Sequence, residues 1–139
     1  MADTKTIDVE ALRRFFQKDP NVVLALLFGS SSDGTVSPGS DIDIAVLYEE
    51  APEPLEEYNS YYLRLCDVTG DIAPISLVNL NTADPILAFE ALSGRTICRN
   101  NPEKAAEYQS LICRQYEDVM GNIEHQRRMN DVESSVPSA

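Results

Sequence analysis

Asp41 and Asp43 stand two residues apart at the head of the apolar run "DIDIAVLY" (41–48), and upstream of them Gly29 and Ser30 follow another such run, "VVLALLF" (22–28). Strand alternation sends every second side chain to one face, so the two carboxylates project together, roughly 6 to 7 Å apart. Ile42 and Ile44 then project to the other face. One divalent cation or a close pair can bridge that span, and hard oxygen ligands suit Mg²⁺ or Mn²⁺. Mg²⁺ takes few protein ligands and fills its shell with water and phosphate oxygens, so the implied partner is a nucleoside triphosphate. A glycine where a buried strand stops lets the backbone come close to a phosphate, and a neighbouring serine hydroxyl and local amides donate to its oxygens. Gly29 and Ser30 have that form. Either pattern alone is commonplace, GS as a turn and DxD as a chance pair in an acidic chain. Together, each at the end of a strand-like run, they point to chemistry.

The elements that must position these groups are legible from periodicity. "DVEALRRFFQK" (8–18) has Val9, Leu12, Phe15 and Phe16 at helical spacing, with acids early and bases late, as the helix dipole favours. Residues 22–28 fit a strand covered on both faces, and 41–48 fit a second strand. A helix is predicted over 55–66 and ends before Gly70. "IAPISLVNL" (72–80) reads as a strand whose usable part is 75–80, because Pro74 cannot donate to a ladder and implies an edge position or a late start. Asp84 and Pro85 form an N-cap and first-turn pair for a helix closed by Gly94, 95–99 is a short strand, and the last helix runs from Pro102 to about Met120. The expected fold is α+β, a two-layer arrangement of a small mixed sheet packed against helices. One domain over 1–128 and a disordered tail over 129–139 complete the expectation.

Composition narrows the function classes. The 139 residues are 43% hydrophobic, enough to bury a core without staples. Twenty-three acidic residues against eleven basic ones give a formal net charge of −12, which disfavours direct nucleic-acid binding. Cys66, Cys98 and Cys113 match neither a disulfide framework nor a zinc site and read as reduced thiols. The N-terminus lacks a signal-peptide pattern and no apolar stretch reaches bilayer length, so the expected setting is the cytoplasm, away from membranes.

"GSSSDGTVSPGSDIDI" resembles the GS-x10-DxD signature of the DNA polymerase β-type nucleotidyltransferases, specifically the minimal nucleotidyltransferases (MNT). Gly29, Ser30, Gly34, Pro38, Ser40, Asp41 and Asp43 fall in register with that pattern, and "ISLVNLNTADPILAFEALSGRTICR" is similar to the family's next segment. The resemblance implies that Asp41 and Asp43 hold the metal and are catalytic, and that Gly29, Ser30 and Ser40 contact the nucleotide. It implies transfer of AMP from ATP, with Mg²⁺ or Mn²⁺ as cofactor. Single-domain members are commonly antitoxins that bind a HEPN ribonuclease toxin and attach AMP to one of its tyrosines, so the implied partner is a HEPN-domain protein in a hetero-oligomer. The alternatives are neutralisation by binding alone and, third, nucleotide transfer to a small molecule such as an aminoglycoside.

Two departures from the pattern bear on that expectation. Asp33 stands where the family often has Arg, and no Lys or Arg occurs between Lys18 and Arg64. The family's third carboxylate stands four residues before the Leu of "LN", and here that position is Ser76. A hydroxyl neither neutralises a second cation nor accepts a proton well at neutral pH. Asp71 and Asp67 are the nearest acids, Asp71 at an odd offset that puts it on the opposite face of a regular strand. Other tempting residues have plainer readings. His125 lies near a frayed end, Tyr58, Tyr61 and Tyr62 suit an amphipathic helix, and Arg95 could approach phosphate or cap helix carbonyls.

Overall fold

Seven consecutive apolar residues are satisfied only if something packs on each side of them. The structure, a computed structural model describing residues 3–51 and 55–135, with side chains over 3–51 and 59–131, supplies both coverings. Its elements in order are β1 (Lys5–Thr6), α1 (Val9–Gln17), β2 (Val22–Phe28), β3 (Thr35–Val36), β4 (Ile42–Tyr48), α2 (Leu55–Val68), β5 (Ile75–Asn79), α3 (Pro85–Leu92), β6 (Arg95–Arg99) and α4 (Pro102–Ser135). A single 3-10 turn, Gly29–Ser31, follows β2.

The main sheet has the order β5-β4-β2-β6, with β4 and β5 parallel and the other neighbours antiparallel. On one face Ile42, Ile44, Val46 and Tyr48 pack with Leu12 and Phe16 of α1 and Tyr61 and Leu65 of α2. On the other, Ala45, Leu47, Leu26 and Phe28 pack with Ala88 and Ala91 of α3 and Ala105 and Ile112 of α4. The fold is the expected α+β with a small mixed sheet, and helices on both faces add a third layer to the two anticipated. A bulge in β2 between Val22 and Leu24 puts both Val23 and Leu24 on the α3–α4 face, which breaks strict alternation.

Local chemistry explains the boundaries. The Asp8 carboxylate accepts from the Ala11 amide at 3.0 Å and the Asp84 carboxylate from the Leu87 amide at 2.9 Å, capping α1 and α3. Pro74 gives β5 its late start, and its carbonyl accepts from the Ile42 amide at 2.8 Å where β4 begins. β5 also lies at the sheet edge. Two features differ from the sequence expectation. β1 pairs antiparallel with β3 in a separate two-stranded ribbon. Helix α4 passes through Gly121 and continues to Ser135, so residues 129–135, expected in a disordered tail, are helical. Residues 136–139 of that tail and the side chain of Tyr58 lie outside the described residues. Among the described residues no helix is long and apolar enough to cross a membrane.

Candidate active site at the ends of β2 and β4

Asp43 lies directly across from Phe28 in the β2–β4 pair, so the residue that follows Phe28 meets the Asp43 side chain. That residue is Gly29, with φ +66°, and a Cβ built on it would stand 2.5 Å from Asp43 Oδ2. Only glycine meets both demands, a left-handed backbone and a carboxylate in the space a side chain would fill. The 3-10 turn then presents Ser30 to solvent, and the opening amides of such a turn have no acceptor within it.

Ser31, unremarked in the sequence reading, fastens the turn to the strand. Its fully buried hydroxyl donates to the Phe28 carbonyl at 3.2 Å and accepts from the Asp43 amide at 3.1 Å. The turn and the head of β4 are thereby one unit. The signal for this lay in the serine run "SSS", where periodicity cannot say which hydroxyl faces inward.

Asp41 is exposed just before β4, and Asp43 is half-buried on the α3–α4 face. Burial first, then the charges of Asp41 and of Glu90 on α3, push the Asp43 carboxyl above its ordinary value of 3.8. Glu90 is a third carboxylate felt at the site that sequence reasoning missed, since it is a lone acid on a mostly apolar helix far along the chain. Ser40 and Asp41 line a cavity of about 340 Å³ together with Lys5, Pro38 and Gly39.

Ser76 is paired with Asp43 across the β4–β5 ladder, so the position expected for a third carboxylate is indeed beside Asp43, and it carries a hydroxyl. Neither alternative acid lies on β5. Asp67 belongs to α2, and Asp71, at φ +53°, closes that helix with its amide donating to the Cys66 carbonyl at 3.1 Å. Among the described residues no three His, Cys, Asp or Glu side chains converge as a metal-binding group. The donor set fits a divalent cation that shares its shell with a nucleotide: two hard carboxylates, one of them raised by burial and then by acidic neighbours, whose repulsion a cation relieves.

The loop after the turn keeps its negative charge and gains a cation beside it. Asp33 accepts from the Thr35 amide at 2.9 Å and the Thr35 hydroxyl at 2.8 Å, which holds its carboxyl below the usual range. Arg95, at the start of β6, brings Nη1 to 3.1 Å from where a Cβ on Gly34 would stand. A cation from distant sequence therefore reaches this loop. Tyr61 packs edge-on against Tyr48 at 5.9 Å and the Tyr62 hydroxyl donates to the Ile75 carbonyl at 3.0 Å, both on the α1–α2 side of the sheet, and His125 is exposed on α4.

The family model described as "Polymerase beta, Nucleotidyltransferase" matches residues 10–103. The chain is 28% identical over 112 residues to the protein adenylyltransferase MntA of Aphanizomenon flos-aquae (strain 2012/KM1/D3), covering 71% of each protein. It is similar to a chain of a toxin–antitoxin crystal structure with AMP-PNP, at TM-score 0.70 and 22% identity over 91% of this chain and 99% of that one. A chain of the complex of a tri-AMPylated Shewanella oneidensis HEPN toxin with its MNT antitoxin aligns at TM-score 0.58 and 22% identity, covering 90% of this chain and 92% of that one. At these identities the structural likenesses speak for the fold.

Proposed function

This chain belongs to the polymerase β nucleotidyltransferase family, and from that premise we propose that it is an antitoxin that transfers AMP from ATP to a tyrosine of a HEPN-domain ribonuclease toxin. The observation that carries the reading is the contact between Gly29 and Asp43, which unites the phosphate-approach turn and the metal-binding strand at one point. The curated relative's name, protein adenylyltransferase, supports the reaction, and the toxin–antitoxin complexes among the structural neighbours support the partner.

In the proposed reaction the tyrosine oxygen bonds to the α-phosphorus of ATP. The bond from that phosphorus to the bridging oxygen of the β-phosphate breaks, pyrophosphate leaves, and the phenolic proton passes to solvent. Asp41 and Asp43 hold Mg²⁺ or Mn²⁺, which when bound supplies charge stabilisation to the phosphoryl oxygens. Gly29 admits the phosphates close to the backbone, Ser30 donates its hydroxyl to them, and Ser40 contacts the nucleotide from the loop before Asp41. Ser31 fixes the distance between the turn and Asp43. The toxin itself brings the acceptor.

Incubating the protein and its HEPN partner with ATP and Mg²⁺ and weighing the partner intact tests this. A gain of one or more AMP masses that disappears with Asp43→Asn is expected, and no gain from the unmodified pair would sink the transferase reading. One observation favours a second reading, neutralisation by binding alone: Ser76 beside Asp43 supplies neither charge nor base. Unlabelled toxin that is nonetheless inhibited selects it.

A further inference from the structure

A cavity of about 690 Å³ opens at the other end of the β2–β4 pair. Val22 is across from Tyr48 as Phe28 is across from Asp43, so Tyr48 lies about six residues along the strands from Phe28, roughly 20 Å from the candidate active site. It also faces α1 and α2, whereas Asp43 faces α3 and α4. The two places are separate.

The cavity is lined by Arg14 and Lys18 at the end of α1, by Arg64 of α2, and by the rings of Phe15, Tyr48 and Tyr61. Among the described residues its only acidic lining residue is Asp19, which leaves those lining residues with an excess of two positive charges in a chain of net charge −12. Among the described residues none of the three cations forms an ion pair, while Arg13, Lys104 and Arg128 pair with Glu10, Glu49 and Glu124. Instead the Arg64 guanidinium lies over the rings of Phe15 and Tyr61, at 5.8 and 5.4 Å from their centroids. A guanidinium stacked by its face keeps its N–H edge free for bidentate contact with a phosphate.

We propose that this cavity binds a small aromatic phosphate, a planar ring carried on a phosphate dianion, with nucleoside monophosphates as the ligand class. The three cations take the phosphate, and the half-buried Phe15 takes the ring, backed by Tyr48 and Tyr61, which are 2% and 4% exposed. The volume is in the range of sites that enclose ligands of that size. A peptide added as an extra strand does not fit at Tyr48, because one edge there faces Val22 of β2 and on the other the Tyr48 amide donates to Asn81 Oδ1 at 2.9 Å while its carbonyl accepts from Asn81 Nδ2 at 2.9 Å. The inference does not rest on the transfer reaction.

The test is equilibrium dialysis of the full chain with AMP in EDTA, which keeps metal-dependent nucleotide binding out of the measurement. Saturable binding with a dissociation constant below about 1 mM is expected. The double variant Arg14→Ala/Lys18→Ala, at exposed positions and checked by melting curve, should weaken it by about tenfold or more, as loss of charge-assisted bonds implies. Asp43→Asn should leave it unchanged. Arg64→Lys, which keeps charge without the stacked fork, should weaken it to a lesser degree. Phenyl phosphate binding as well as AMP supports the proposal and assigns recognition to any aryl phosphate. Inorganic phosphate binding as tightly as AMP, or AMP binding lost with Asp43→Asn but kept in the Arg14/Lys18 variant, would overturn it.

Discussion

Replacing Gly29 by alanine should displace Asp43 without unfolding the chain. Gly29 has φ +66°, and holding a residue with a Cβ in the left-handed region costs about 1 to 2 kcal/mol. At roughly 4 °C per kcal/mol for a domain of this size, the melting temperature should fall by about 4 to 8 °C. The new Cβ would stand 2.5 Å from Asp43 Oδ2 and 3.5 Å from its carboxyl carbon, the mobile end of a side chain, so rotation of the carboxylate relieves the clash. A metal ligand moved by about an ångström costs on the order of a hundredfold in rate. The assay pairs circular dichroism melts with single-turnover labelling of the toxin, and repeats both melts in an Asp43→Ala background. There the clash is gone and only the backbone cost remains, so the cycle should show a coupling of about 0.5 kcal/mol or more. Wild-type labelling by Gly29→Ala, together with an additive cycle, would refute the reasoning.

Ser31→Ala removes the hydroxyl that joins the Phe28 carbonyl to the Asp43 amide, and a buried donor left unpaired should cost about 1 to 3 kcal/mol in urea denaturation with an unchanged slope. Asp43→Asn should raise the melting temperature of the metal-free protein at neutral pH. The Asp43 carboxyl is raised above 3.8 in the fold, so its ionised form costs stability; melts across a pH series should show no gain from the variant below pH 3.8 and a growing gain as pH rises through the folded value. Gly94→Ala should destabilise by about 1 to 3 kcal/mol, because its Cβ would stand 2.2 Å from the Leu27 carbonyl oxygen on the strand that leads into the site. Gly121→Ala, mid-helix with open space around it, should instead stabilise by about 1 kcal/mol.

Much of the architecture follows from side-chain period and punctuation. β2 and β6 match their expected spans, β4 and β5 begin or end within one residue of theirs, and Asp84–Pro85 opens α3, because each signal is local in the chain. The strand pairings are not local, and with them went the β1–β3 ribbon, whose two-residue strands are too short to show a period. Gly121 misled the reading of α4 because a single glycine costs a helix little against the propensity of the residues around it. At the site, Gly29 and Asp43 were readable from spacing and the Ser76 departure from the family resemblance, and the ladder puts Ser76 beside Asp43. Ser31 and Glu90 were not, and Arg95 was noticed without its place beside Gly34, since each acts through a contact with a different element. The loop charge illustrates the reason: "SSSDG" reads as anionic in sequence and Thr35 does hold Asp33 ionised, yet Arg95 arrives from β6 as a cation the local sequence does not contain.

Calorimetric titration of a nonhydrolysable ATP analogue, with and without Mg²⁺, into the unmodified chain and into Asp41→Asn/Asp43→Asn tests the central claim most directly. Saturable binding that requires both Mg²⁺ and the two carboxylates is the expected result. Equal binding by the double variant, or none by the unmodified chain, would contradict it.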